Sequence, residues 1–572
     1  MSAAAAAERL FGTDGIRARA GEPPLDRNTV TLLARELAAG LVEDQARAAA
    51  AGPAAAAGPA AATGPRPQVV LGGDTRESTA EICGWLAAGL TAGGAAVRYA
   101  GVIPTPGISF LARELGAAAG VVVSASHNPY PDNGIKLLDG QGRKWSDEAE
   151  AALEERLRAS EARVEATATT GPAAGSGETA SPLPVPRAPL APPASAPAKA
   201  PPLPPAPLAS RPAASLPFPL GLLASGPAES SPIPPFPLAP PIPPPPPPPL
   251  APETGLRERY LEHLAATVGA ASAGLVTPAA PATIPAPGAQ PPLAGLRVVL
   301  DAGNGAASAY AGELFGRLGA EVVVLCTTPD GRNVNLGCGS TAPAGMAAAV
   351  VAAGAHLGAA FDGDADRCVL ADERGEVRDG DAILYLWATR LLAAGRLVPP
   401  AIVATSMSNL GLERALARHG IAVVRCGVGD RLVVETMRRD GILVGGEQSG
   451  HIVRLDLAVT GDGLLTAVQT AVMVRDAGRP LSELLAGFRR YPQILVNVRV
   501  ARKPDLATLP RVAAAARAVE SELGADGRLV LRYSGTEPLA RVMIEGPDQE
   551  TVESLAARLA GVLADELGQP AG

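Results

Sequence analysis

Short apolar runs alternate with stretches of helical period along most of the chain. QVVLGG (68–73) predicts a strand, ESTAEICGWLAAGL (77–90) a helix, and AAVRYAG (95–101) a second strand. GLRVVLDAGNGAASAYAGELFGRLGAEVVVL (295–325) repeats this strand–loop–helix–strand order, and PAIVATSMSNLGLERALARHGIAVVRC (400–426) repeats it again. Strands separated by helices predict α/β layers, and their serial recurrence predicts three successive α/β domains. The pattern then changes. ILVNVRVA (494–501) alternates like a half-buried strand, and a helix is expected over 510–523. RLVLRYSG (528–535) and LARVMIEG (539–546) predict paired strands, and TVESLAARLAGVLADEL (551–567) closes as an amphipathic helix. This end reads as a smaller α+β unit with an antiparallel sheet.

One long stretch breaks the rhythm. Residues 161–253 include APLAPPASAPAKAPPLPPAPLASRP and PPIPPPPPPPLAP. Proline fixes φ and lacks an amide donor, so neither a helix nor a central strand is expected there. A disordered Pro/Ala-rich insertion is predicted, with smaller inserts near 48–66 and 270–292. It reads as a passive surface insertion, because loop-closure cost grows slowly with length. Docking of a proline-recognising partner is the alternative. The expected domains are therefore 8–160, 254–376, 377–490 and 491–568.

Composition narrows the class. The chain has 572 residues, 47% of them hydrophobic, so it can bury several cores. A net charge of −8 argues against a nucleic-acid footprint, which would be basic. The five cysteines are dispersed and form no CxxC pair, which suits a reducing compartment and offers no zinc motif. The start, MSAAAAAERLFGTDG, has no basic region and no long apolar core, and nowhere are about 18 strongly apolar residues consecutive. A cytoplasmic protein without a membrane span is expected.

Four clusters carry candidate chemistry. In VVVSASHNPYPDNGIK (121–136), an apolar strand ends in Ser124, Ser126 and His127, and the chain turns back to bring in Lys136. A hydroxyl beside an imidazole and an ammonium suits phosphoryl transfer. Either serine is a candidate. No GxSxG elbow supports acyl-enzyme chemistry. In AAFDGDADRCVLAD (359–372), Asp362, Asp364 and Asp366 alternate, so an extended segment would place them on one face. Three carboxylates together call for a cation, and oxygen ligands suit Mg²⁺. An EF-hand is disfavoured, because Arg367 stands where that loop needs glycine and strands flank the segment. In LVGGEQSGHI (443–452), Glu447, Ser449 and His451 alternate and suit sugar hydroxyls or an amine. In RYSGTEPLAR (532–541), Arg532 and Arg541 bracket Ser534, Gly535 and Thr536, a set that fits a phosphate monoester.

The combination resembles the α-D-phosphohexomutases. The resemblance rests on FGTDGIR (11–17), SASHNPYPDNGIK (124–136), DGDADR (362–367), TSMSNLGLE (405–413), VGDR (428–431), GGEQSGH (445–451), TGDGLLTA (460–467) and RYSGTEPLAR (532–541). It implies three α/β domains and a C-terminal phosphate-binding domain around one cleft. It selects Ser126, the serine directly before the histidine, as the phosphorylated residue. It makes Asp362, Asp364 and Asp366 the ligands of one Mg²⁺, with Ser126 or its phosphate as the fourth. His127, Lys136 and Arg367 would surround the transferring group, with Lys136 assisting proton transfer. Arg17, Gly429, Asp430, Glu447, Ser449 and His451 would meet the substrate, and the last loop would hold the phosphate not being transferred.

GGEQSGH and GTDGIR look most like the glucosamine-acting bacterial members. They imply interconversion of glucosamine 6-phosphate and glucosamine 1-phosphate through a 1,6-bisphosphate, feeding amino-sugar and cell-wall precursor synthesis. Mannose or glucose phosphates on the same scaffold are the near alternative, and a non-catalytic proline-rich scaffold the remote one. The expected partners are sugar phosphates, with a homodimer left open.

Overall fold

A computed structural model of the chain describes residues 9–12, 14–51, 65–169, 250–272, 290–534 and 538–568. The bulk of the Pro/Ala-rich insertion, most of the two smaller inserts, and Gly535 and Thr536 lie outside the described residues.

The first sheet holds β1 (Ile16–Arg19), β2 (Gln68–Gly73), β3 (Ala96–Val102), β4 (Ala119–Val123) and β5 (Asp132–Asp139), in the order β1-β5-β4-β2-β3. The second holds β6 (Arg297–Asp301), β7 (Glu321–Leu325), β8 (Leu357–Phe361), β9 (Cys368–Asp372) and β10 (Val377–Arg378), in the order β10-β9-β8-β6-β7. The third holds β11 (Ala401–Thr405), β12 (Ala422–Cys426), β13 (Val444–Gly446) and β14 (Ile452–Arg454), in the order β12-β11-β13-β14.

All three sheets share one plan. A first strand pairs in parallel with two others (β2 with β3 and β4, β6 with β7 and β8, β11 with β12 and β13). The chain then reverses into an antiparallel partner: β4 to β5, β8 to β9, β13 to β14. Each reversal carries one of the predicted chemical loops, 124–131, 362–367 and 447–451. Every residue of β4 and of β8 is buried, so polar side chains first become affordable at the carboxyl end. Crevices outside the carboxyl ends of parallel strands are where open α/β sheets place ligands.

One hydrophobic cluster runs through all three α/β domains, taking in Val122, Leu300, Phe361, Leu384 and Leu464. The C-terminal unit has its own core around Val542, Leu555 and Leu559. Its sheet is antiparallel, β15 (Gln493–Arg499), β17 (Leu539–Glu545) and β16 (Arg528–Tyr533) in that spatial order. The predicted fold class is the observed one. The helix Asp147–Thr169 runs past the expected boundary at 160, because SEARVEATAT contains neither proline nor glycine.

Candidate active site

The turn after β4 is built around Arg76. Its side chain is fully buried beside Asp74, with Nε 2.9 Å from Asp74 Oδ2. Its two terminal nitrogens donate to four carbonyls of the turn: Ser126 O at 2.8 Å, Asn128 O at 2.9 Å, Pro129 O at 2.6 Å and Asp132 O at 3.0 Å. Asn335, from the second domain, donates to Ser126 O at 2.9 Å. These bonds hold Ser126 at φ 53°, a left-handed conformation that a non-glycine residue adopts only when its surroundings impose it.

The two serines have different surroundings. Ser124 Oγ donates to Asp74 Oδ2 at 2.6 Å and accepts from Ser126 N–H at 2.8 Å, so it braces the turn. Ser126 Oγ points the other way and donates to Asp362 Oδ2 at 2.6 Å. His127 Nδ1 lies 3.5 Å from the same Oγ. Partial burial, then Arg367 and Arg17, pushes the His127 imidazole down to about 4.

Asp362, Asp364 and Asp366 converge, with one oxygen from each within 4.8 Å of the others. They do so by a route the alternation did not give. Residues 362–367 form a tight turn between β8 and β9, not an extended segment, and Ala365 has φ 54°. The flanking strands exclude an EF-hand. Gly363 is required, since a Cβ there would lie 2.6 Å from Ser126 O. Asp364 Oδ2 accepts from Lys136 Nζ at 2.9 Å and Thr105 Oγ1 at 2.6 Å. Its Oδ1, and that of Asp366, are buried with no hydrogen-bond partner among the described residues. Burial, then Asp366 and Asp364, pushes the Asp362 carboxyl well above its usual range. Three converging buried carboxyl groups, two of them with an unanswered oxygen, are the donor set a hard divalent cation needs, so the residues fit Mg²⁺.

Cations and acids alternate behind the trio. Lys136 Nζ also lies 3.7 Å from Asp366 Oδ2 and 3.4 Å from Asp14 Oδ2. Burial disfavours its charge, but Asp14, Asp364 and Asp366 outweigh it and hold the ammonium form. Asp14 also meets Arg17 and Lys144, and these cations with Lys136 hold its carboxyl far below the usual range in spite of burial. Lys144 Nζ bridges on to Asp430 Oδ2 at 2.5 Å. Arg367 is charged despite its burial, owing first to Asp366 and then to Asp362.

The third loop divides. Glu447 accepts from Ser449 Oγ at 3.2 Å and from Gly429 N–H at 3.1 Å, so these three residues form one rim. His451 does not share their face. Its ring is buried, 3.6 Å from Asp366 Oδ2 and 3.7 Å from Asp430 Oδ2. Residues 447–451 turn instead of extending, so alternation does not put the three side chains together. Flanking carboxylates pull the His451 pKa up against burial. Gly461 N–H nevertheless donates to its Nε2 at 3.0 Å, and that geometry favours the neutral ring with its proton on Nδ1.

In the C-terminal unit, Arg532 and Arg541 stand directly opposite on β16 and β17. Burial, then Arg541, lowers the Arg532 pKa, as expected of like charges facing each other. Lys503 Nζ donates to Ser534 O at 2.7 Å and adds a third cation. Asp74, Arg76, Thr105, Lys144, Asn335 and Lys503 were not singled out in the sequence. Only GDTR, a polar cluster directly after the apolar β2, carried a usable local signal.

Comparison with known proteins gives the family. Profiles of the phosphoglucomutase/phosphomannomutase family match in series: alpha/beta/alpha domain I over 8–164, domain II over 288–375, domain III over 379–491 and the C-terminal domain over 495–562. The chain belongs to the phosphoglucomutase/phosphomannomutase family. It is 39% identical to the phosphoglucosamine mutase of Solibacter usitatus over 98% of this chain and 100% of that one. It is also 39% identical to the phosphoglucosamine mutase of Symbiobacterium thermophilum over 98% and 99%. Among solved structures, a family protein from Burkholderia thailandensis superimposes with a TM-score of 0.63 at 21% identity, covering 97% of both chains. N-acetylphosphoglucosamine mutase from Aspergillus fumigatus, solved with GlcNAc-6P and magnesium, gives 0.51 at 18% identity, covering 81% of this chain and 92% of that one. These two likenesses concern the fold.

Proposed function

We infer that the protein is a phosphohexomutase that interconverts glucosamine 6-phosphate and glucosamine 1-phosphate. The carrying observation is the placement of Ser126 Oγ, 2.6 Å from a carboxylate of the buried trio and on a turn clamped from two domains. The substrate follows the phosphoglucosamine mutases, which match across nearly the whole chain.

In this reading Ser126 carries the phosphoryl group. Transfer to the free hydroxyl of the sugar forms a P–O bond to the sugar and breaks the one to Oγ; the hydroxyl loses its proton, Oγ gains one, and the product is the 1,6-bisphosphate. After the intermediate turns over, the other phosphoryl group returns to Ser126. Asp362, Asp364 and Asp366 would hold Mg²⁺, with Ser126 or its phosphate alongside. When bound, that cation neutralises charge on the transferring group. Lys136 keeps a proton at Nζ and Arg367 contributes fixed positive charge, while His127 and Arg17 face the same group. Lys136, held as an ammonium by Asp14, Asp364 and Asp366, would assist proton transfer.

Glu447, Ser449 and Gly429 form the rim for sugar hydroxyls. Asp430 and His451 support the cationic network from behind. Arg532, Ser534 and Arg541, with Gly535 and Thr536 of the same loop, would clamp the idle phosphate. A clamp remote from the reacting phosphoryl group lets the sugar bind in both orientations. A cytoplasmic location belongs to the same reading. Among the described residues, no helix is long and apolar enough to cross a membrane.

The deciding experiment compares kcat/KM for the 1-phosphates of glucosamine, mannose and glucose, each primed with its 1,6-bisphosphate. Preference for glucosamine is expected. Faster turnover of mannose or glucose would move the protein to another branch of the family.

A further inference from the structure

The second domain gathers another ligand set that the reaction does not use. Asp301 ends β6, Cys326 directly follows β7, and Cys338 lies in the loop before the helix Ala344–Ala353. One donor atom from each residue lies within 4.8 Å of the others. The carboxylate is aimed by two backbone amides: Gly303 N–H donates to Oδ1 and Gly339 N–H to Oδ2, both at 2.9 Å. Each oxygen keeps a lone pair beyond those bonds. Asn304 Nδ2 donates to Cys338 Sγ at 3.7 Å. Asp301 and Cys338 are buried, while Cys326 is partly open. Cys326 holds φ 52°, left-handed for a non-glycine residue, and so turns out of the strand.

We propose that Asp301, Cys326 and Cys338 form a second cation site, one that takes Zn²⁺. Two sulfurs and one carboxylate suit a borderline-soft ion and not Mg²⁺, and three protein ligands leave one tetrahedral position for water. Binding replaces two S–H protons by two S–metal bonds and releases both protons, so affinity rises with pH. The ion would tie β6 and the end of β7 to the loop 327–340. That loop carries Asn335, which holds the carbonyl of Ser126. The second site is therefore a staple on the support of the nucleophile. The sequence shows no zinc motif because the fold, not close spacing, brings the three residues together.

The test uses the full chain, reduced with a phosphine, stripped by chelation and resupplied with Mg²⁺. Titration with Co²⁺ should produce a near-ultraviolet thiolate-to-cobalt charge-transfer band that saturates at a single equivalent and is bleached by Zn²⁺. The oxygen-only trio cannot give that band. Cys326→Ser and Cys338→Ser should each lose it, and Zn²⁺ should raise the unfolding temperature of the unmodified chain but of neither variant. Far-ultraviolet circular dichroism checks that the variants are folded. No thiolate band in the unmodified chain, or a band that persists in both folded variants, would overturn the proposal.

Discussion

Ser126 Oγ lies 2.6 Å from Asp362 Oδ2, so the candidate nucleophile and the first carboxylate of the trio are already in hydrogen-bond contact across two domains. Ser124, two residues earlier, is turned away toward Asp74. Ser126→Ala should reduce mutase turnover below detection without loss of folding. Ser124→Ala should keep phosphorylation at Ser126, turn over more slowly and lose about 1–3 kcal/mol of stability, since Asp74 and the Ser126 amide lose their partner. Turnover and denaturant unfolding of both variants check this.

Asp364 has one oxygen held by Lys136 and Thr105 and one with no partner among the described residues. Asp364→Asn keeps the shape and removes the charge. Turnover should fall roughly 10²-fold or more, and half-maximal activity should require more Mg²⁺. Thr105→Val should cost about tenfold, because Thr105 acts only by orienting the carboxylate. Titration of activity with Mg²⁺ separates the two effects. Full activity in excess chelator would contradict the metal role.

Arg76→Lys keeps a charge beside Asp74 but loses the planar fork that reaches four carbonyls. The predicted result is a lower kcat with little change in KM, together with roughly 1–3 kcal/mol less stability. A rise in KM alone would place Arg76 at the substrate and not behind the nucleophile.

Glu150 supplies a pH prediction away from the trio. Burial raises its carboxyl from 4.5 to about 7, and Oε2 has no hydrogen-bond partner among the described residues. The folded state therefore holds this proton more tightly than the unfolded chain does. Stability from this group is complete below pH 4.5 and is lost as pH rises from 4.5 to about 7. Glu150→Gln should flatten that part of the profile, giving a smaller drop in Tm between mildly acidic and mildly alkaline buffer. An unchanged drop would assign the pH dependence to other groups.

Strand–helix alternation was enough to locate the three α/β units and the antiparallel tail, because buried parallel strands read as unbroken apolar runs such as AGVVV and LGAAF. The turn back toward Lys136 and the strands on both sides of the aspartate loop were legible, but the antiparallel pairing common to all three sheets was not. It depends on pairing between distant segments, and no local pattern reports it. The loops with chemistry could be named from their residues, but the reason they converge could not. Asp362, Asp364 and Asp366 meet through a turn with Ala365 at positive φ, where alternation had proposed an extended face. Arg76, Thr105 and Asn335 escaped notice for the same reason, since each acts on a residue far away in the chain.

The central claim is that Ser126 carries the phosphoryl group. It is tested most directly by incubating the full-length protein with ³²P-labelled glucosamine 1,6-bisphosphate, mapping the label by peptide, and chasing with unlabelled glucosamine 1-phosphate. The expected result is label on Ser126 alone, passed to the sugar at a rate no slower than steady-state turnover. Label on Ser124, or full turnover with no phosphorylated serine at all, would contradict the account.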